Sequence, residues 1–228
     1  MSKIVVIHQP DFIPYLGFFH RLLDANLFII LDDVQFLRRG WHHRDIIKTK
    51  DGGKWITLGI KKTPQDTKIN EIYLNDQEWK KQHLSIIEQN YKKASYFKEI
   101  FPFIENLYKQ DYKKMIDMNL ASIRILLELF DINIDIHFSS SYKIDTKSNQ
   151  LLSDLLKKVD ATHYLSGIGA KDYFNPIPFE KANIKVLWQD FKHPIYPQLH
   201  GEFIPYLSSI DLLFNCGIEK SREILRSI

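Results

Sequence analysis

Cysteine is nearly absent: Cys216 stands alone among 228 residues. No internal disulfide can form, and a metal site of the CxxC type is excluded. Long apolar runs are missing too, since no stretch approaches the roughly 20 residues a membrane span needs. The opening "MSKIVVIHQP" has neither the extended apolar region nor the small-residue cleavage site of a signal peptide, so the expected location is the cytoplasm without membrane insertion. Charge of one sign is also lacking. With 31 basic and 28 acidic residues the net charge is +3, which argues against a dedicated nucleic-acid binder. There is no internal repeat, no HExxH and no clustered His/Asp pattern, so no metal is expected.

What is present suits a folded core. Hydrophobic residues make up 44% of the chain and aromatics 13%. "KIVVI" and "NLFIILDD" are continuous apolar runs of the kind found in strands buried on both faces of a parallel sheet. Between them Leu16, Phe19, Leu22 and Leu23 recur at helical spacing, with Pro14 suited to the first turn. A right-handed strand-helix-strand unit follows from this order. Strands are expected again around Trp55–Ile60 and, more briefly, in "INEIYL". Helices are predicted over roughly 77–92, 96–109 and 113–130 from three-to-four spacing, the first opened by an Asn75/Glu78 capping box. Alternation then resumes with strand "INIDIHFS", helix "SNQLLSDLLKKV", and strands "THYLSG" and "IKVLWQDF". Two C-terminal helices, about 209–215 and 218–227, close the chain, with Ser208 and Asp211 fitting a second capping box. The expectation is an α/β fold with a mostly parallel sheet. Its core is built from 1–74 and 131–228, with 75–130 inserted as a helical subdomain.

Ligands of open α/β sheets bind beyond the carboxyl ends of the strands. Four unusual segments fall at such ends. His8, Gln9 and Tyr15 lie in "HQPDFIPYLGFFHR", with His20 near the apolar stripe of the helix that follows. Asp32, Asp33 and Gln35 end the second strand; adjacent on extended chain, the two carboxylates should point to opposite faces. Ser166, Gly167, Gly169, Lys171 and Tyr173 form a loop whose glycines let backbone N–H groups approach an anion. His193 lies in "DFKHPIYPQ". Apart from these, "RRGWHHR" offers Arg39 and Arg44 as phosphate forks and Trp41 as a stacking surface. The alternative for each is structural: a loop hydrogen bond for His8, a core position for His20, a Gly-rich turn, a solvated basic face.

"HQPDFIPYLGFFHRLLDANLFIILDDVQF", the Arg38–Trp41 segment with Arg44, "YLSGIGAKDYF" and "FKHPIYPQLHGEFIPYLSSIDLLFNCG" together resemble the WbqC-like family of bacterial surface-polysaccharide (O-antigen, lipopolysaccharide) gene clusters. Two departures stand out: His43-Arg44 where an Asn-Arg pair is expected, and Ala170 in place of a second glycine. Some family members are described as glycine or aminoacyl transferases acting on amino sugars. The resemblance therefore implies a cytoplasmic transferase joining an acyl or aminoacyl group to the amine of a nucleotide-linked amino sugar. The acyl donor would be an aminoacyl-tRNA, a carrier protein or a CoA thioester, and no cofactor is expected. His8 or His20 would act as base, Asp33 or Asp32 as its partner or as an amine ligand. The Gly loop with Lys171, and Arg39 with Arg44, would hold phosphate or oxyanion. A more distant similarity, carried by Gly17, His20 and "DDVQF", is to the HIGH-type nucleotidyltransferases and pantothenate synthetases, which share a Rossmann-like fold. That alternative alone brings in ATP and Mg; a non-catalytic sugar-nucleotide or glycan-binding factor is the third reading.

Overall fold

A computed structural model describes residues 2–76 and 78–228. Five strands form one parallel sheet: β1 (Ile4–His8), β2 (Leu27–Ile30), β5 (Asp135–Phe138), β6 (His163–Ser166) and β7 (Lys185–Trp188). Their spatial order is β5-β2-β1-β6-β7. The register sets Val5 opposite Leu27 and His8 opposite Ile30, while Val5 also faces Tyr164 across the sheet. From β1 the chain builds outward through β2 to β5, then returns to the other side for β6 and β7. The reversal falls between β1 and β6. This is a Rossmann-like α/β architecture.

Alternation along the strands divides the core in two. Val6, Phe28 and Ile30 point to one face and Val5, Ile7, Leu27 and Ile29 to the other. The first face shares its core with helix α1 (Leu16–Leu23), with α2 (Glu78–Tyr91), α3 (Phe97–Lys109) and α4 (Met115–Leu129), and with α7 (Ile210–Arg226). The second packs on α5 (Ser148–Lys158) and the short α6 (Ile177–Lys181). Because both faces are covered, the strands read as unbroken apolar runs.

The strand expected around Trp55 is β4 (Gly52–Thr57), and it lies outside the main sheet. It pairs antiparallel with β3 (Arg44–Thr49), a strand the sequence pattern does not announce. "INEIYL" is not a strand but a 3-10 turn, Ile69–Glu71, followed by isolated bridges at Tyr73 and Leu74. The turn buries Ile69 and Ile72 on one side, three residues apart, which an extended chain cannot do. The capping box at Asn75 and Glu78 spans Gln77, which lies outside the described residues. That at Ser208 does not form: its hydroxyl donates to the Ile13 carbonyl at 2.6 Å, and Asp211 accepts from the Tyr91 hydroxyl at 2.7 Å. The two terminal helices run together as α7 and break at Gly217, where φ is 75°. A Cβ there would overlap the Tyr96 ring, so both the angle and the space require glycine.

Candidate functional site

Because the five strands are parallel, the four segments singled out from the sequence leave the same edge of the sheet. The exits of β1 and β6 flank the reversal point. The passage after β1 is held under strain there. Ile13, a β-branched residue, has φ 39°, in the left-handed region. Both its backbone groups are fixed by buried serines: its N–H donates to Ser122 Oγ at 3.2 Å, and its carbonyl accepts from Ser208. Asn119 of α4 donates to the Pro10 and His42 carbonyls at 2.7 and 2.6 Å, joining this passage to the Trp41–His43 loop. The surrounding hydrogen bonds over-determine this costly conformation, which is how such backbone strain persists.

The passage gathers ionisable groups in a nearly dry place. His8 Nδ1 lies 2.9 Å from the Gln9 carbonyl and donates to it, so the neutral ring presents Nε2 as an acceptor. The imidazole packs edge-on to Phe18 and keeps 30% side-chain exposure. Burial pushes its pKa down to about 3; the Arg21 cation adds to this, and the Gln9 carbonyl opposes it. Asp11 lies 3.6 Å from Nδ1, too far for a hydrogen bond. Its carboxyl is pushed up to about 7 by burial, against the pull of Arg21. Asp45 of β3, also buried, is raised well above the carboxylate range by the same cause, with Asp11 contributing. Tyr15 lies over Gly17, where a Cβ would overlap its ring, and burial raises its phenol.

Arg21 is the most unusual member. It is 5% exposed, its Nε is buried without a partner, and among the described residues it forms no ion pair. Its guanidinium lies close to Gly167, where an added Cβ would sit 2.8 Å from Nη1 and the flexible arginine would have to shift. An unpaired buried charge is costly.

The other sequence-selected residues surround this cluster or lie outside it. His20 faces Gln189, whose Nε2 lies 3.1 Å from His20 Nδ1 and also donates to the Gly17 carbonyl. Ser166 is buried at the β6 exit, while Gly169 borders open space. Lys171 Nζ sits 5.4 Å over the Trp188 ring, and Tyr173 is exposed. His193 donates from Nδ1 to the Pro194 carbonyl and packs amid Phe191, Phe203 and Tyr206. Asp32 is saturated: Ser139 Oγ, Ser140 N–H and Oγ, and Asn70 Nδ2 all donate to it within 3.1 Å. Asp33 Oδ1 lies within hydrogen-bond reach of that same Ser139 oxygen, whose single proton the two carboxylates share, so they converge rather than diverge once the chain leaves the strand. Gln35 donates to the Gln65 carbonyl, away from the cluster. Arg44 donates from Nε and Nη2 to the Arg39 carbonyl and stacks 4.1 Å over Trp55, beside half-exposed Trp41. His42 and His43 are buried within their own loop, bonded to the Leu37 and Gly40 carbonyls. Sequence reasoning missed Asp11, Arg21, Asp45 and Gln189. For Asp11 the signal was there, since it lies three residues after His8 in the segment that leaves the first strand.

Among the described residues no three His, Cys, Asp or Glu side chains are grouped to hold a metal, and no helix is long and apolar enough to cross a membrane.

Strand order and the cluster at its reversal point define a Rossmann-like α/β protein whose reactive groups hang on the first strand exit and first helix. The chain belongs to the WbqC-like protein family, whose model matches residues 9–223. It is 32% identical over 222 residues to a Mycobacterium tuberculosis (strain ATCC 25618 / H37Rv) protein named "Uncharacterized protein Rv1507c", covering 96% of each chain. No solved structure matches it.

Proposed function

We propose that the chain is a transferase forming an amide between an acyl or aminoacyl group, glycyl among them, and the amine of a nucleotide-linked amino sugar used for surface polysaccharide. One observation carries this reading: a neutral His8, held in the Nδ1–H tautomer by Gln9, beside an Arg21 with no anion of its own. Family membership agrees with it.

The amine attacks the donor carbonyl carbon and must shed a proton, which His8 Nε2 accepts. In the empty protein the imidazole is a weak base, because burial and the Arg21 cation disfavour its charged form. An anionic substrate beside Arg21 cancels the second effect and raises the basicity of His8 as the reactants assemble. Asp11, ionised in part near neutrality, then faces the imidazolium that forms. His8 next returns the proton to the leaving thiol or hydroxyl as the carbon–sulfur or carbon–oxygen bond breaks. The Gly167–Gly169 backbone and Lys171 supply donors for the tetrahedral oxyanion. Asp33 and Asp32, fastened to Ser139, hold the neighbouring exit in place rather than moving protons.

The test is mass-spectrometric detection of the amide when purified protein is given nucleotide-linked amino sugars with aminoacyl-tRNA, acyl-carrier or acyl-CoA donors. His8→Ala should cut turnover by about 100-fold or more, the usual scale for a lost general base. Undiminished product would remove His8 from the chemistry. Pyrophosphate released from Mg-ATP, with no amide formed, would replace the reading by nucleotidyl transfer.

A further inference from the structure

The face of the sheet that carries α1 is open beside β6 and β7, and a groove of about 640 Å³ lies there. Leu165, Leu187 and Trp188 line it from the strands, Arg21 and Asp24 from α1, and Asp190 and Lys192 from the β7 exit. Cavities of this size hold ligands as large as a nucleotide. At one end is the Arg21 guanidinium, more than nine-tenths buried, with an unpartnered Nε. Its other nitrogens form no hydrogen bond among the described residues, so its donors serve whatever enters the groove.

We infer that this groove seats a nucleoside diphosphate, with Arg21 on the phosphates and the base against Leu165 and Leu187. The inference rests on reading the chain as a sugar-nucleotide transferase. A guanidinium fork matches phosphate oxygens, and Lys192 adds a second cation to the same lining. Asp24 and Asp190 offer acceptors that suit ribose hydroxyls. A bare anion would leave the apolar surface of Leu165 and Leu187 unused. Arg21 belongs to the groove and also stands by Gly167 and the His8–Asp11 pair. It is therefore the joint between them: a sugar attached to diphosphate at Arg21 is brought to the imidazole.

Titration calorimetry with UDP, TDP, CDP, GDP, ADP and inorganic pyrophosphate tests this. At least one nucleoside diphosphate should bind, with pyrophosphate about 10-fold weaker or more. Arg21→Met should weaken binding by about 10- to 100-fold, the worth of hydrogen bonds to a charged group. Arg21→Lys, which keeps the charge without the fork, should fall between, and Leu187→Ala should lose about 10-fold. Lys157→Ala, on α5 against the opposite face, should bind like the wild type. Arg21→Met should also melt no lower than the wild type, because the guanidinium has no protein partner to lose. If no nucleoside diphosphate binds, if pyrophosphate binds as tightly, or if Arg21→Lys and Leu187→Ala bind normally, the groove is not the nucleotide seat. Nucleotide binding without amide formation keeps the groove and removes the transferase. Amide formation with the sugar-nucleotide KM unmoved in Arg21→Lys and Leu187→Ala does the reverse.

Discussion

His8 and Asp11 titrate in opposite senses on folding, and each leaves its own mark on stability. His8 has a pKa near 3 in the folded chain against an ordinary 6.5, and buried His43 and His83 are lowered to about 4. The unfolded chain therefore binds more protons between pH 6.5 and 3, and stability falls as pH drops through that window. Asp11 is the reverse, with a folded value near 7 against an ordinary 3.8. Its contribution is complete below pH 3.8 and is lost as pH rises through 7. Asp11→Asn removes that loss, so at pH 8 the variant should be more stable than wild type by about 1 to 3 kcal/mol, the difference vanishing below pH 4. Urea titrations at several pH values measure this; equal stability at pH 8 would mean that Asp11 ionises normally in the fold. The variant should also transfer poorly, the usual relation between a strained site and stability. His8 was legible because a histidine at a strand exit is a familiar place for chemistry. Arg21 was not, because an arginine in a helix ordinarily marks a solvated face. Its guanidinium meets Gly167, far along the chain, and no local pattern carries that contact.

The first-strand loop depends on α4 for its shape. One turn of that helix supplies Asn119 to the Pro10 and His42 carbonyls and Ser122 to the Ile13 N–H. Asn119 is fully buried, so Asn119→Ala leaves two carbonyls without donors and no water to replace them. A loss of about 2 to 4 kcal/mol is expected in denaturant unfolding. Transfer should fall as well, because the strained Ile13 backbone loses a neighbour that holds it. A loss under about 0.5 kcal/mol would show that the serines fix the loop without Asn119. Helices such as α4 were readable because apolar residues at three-to-four spacing bury one face. The strands β1 and β2 were readable for a similar reason, as unbroken apolar runs. β3 was not: "RDIIKT" sets only two apolar residues among three charges, with no period-two alternation, and its Lys48 is fully buried. Lys48 gains that burial by donating to Gln198 Oε1 at 2.9 Å and to the Glu202 carbonyl. Those partners lie 150 and 154 positions away, where no window on the sequence finds them.

A single apolar cluster runs from Val6 and Phe12 through Phe19, Ile87, Ile104 and Leu126 to Leu213. It joins the first strand, the helices within 75–130 and the C-terminal helix. Helical spacing suggests a subdomain inserted at 75–130. Its helices pack on the rest of the chain: Phe19 of α1 meets Phe130 just past α4 at 5.2 Å, and Tyr91 of α2 stacks on Phe214 of α7 at 4.6 Å. Tyr91 also accepts from the Lys48 N–H and donates to Asp211, so polar contacts cross the same boundary. Removing the helices would expose that face of the sheet, and the helices alone would expose theirs. Cooperative unfolding is therefore expected across the whole chain. Trp79 in α2 and Trp188 in β7 report the two regions separately when each is kept as the sole probe by Trp→Phe replacement elsewhere. Both fluorescence transitions should coincide in urea with the loss of far-UV circular dichroism. An earlier transition at Trp79 alone would mean that the helices form a cooperative unit of their own. The loops fixed by Asn119 would then loosen before the sheet that carries His8.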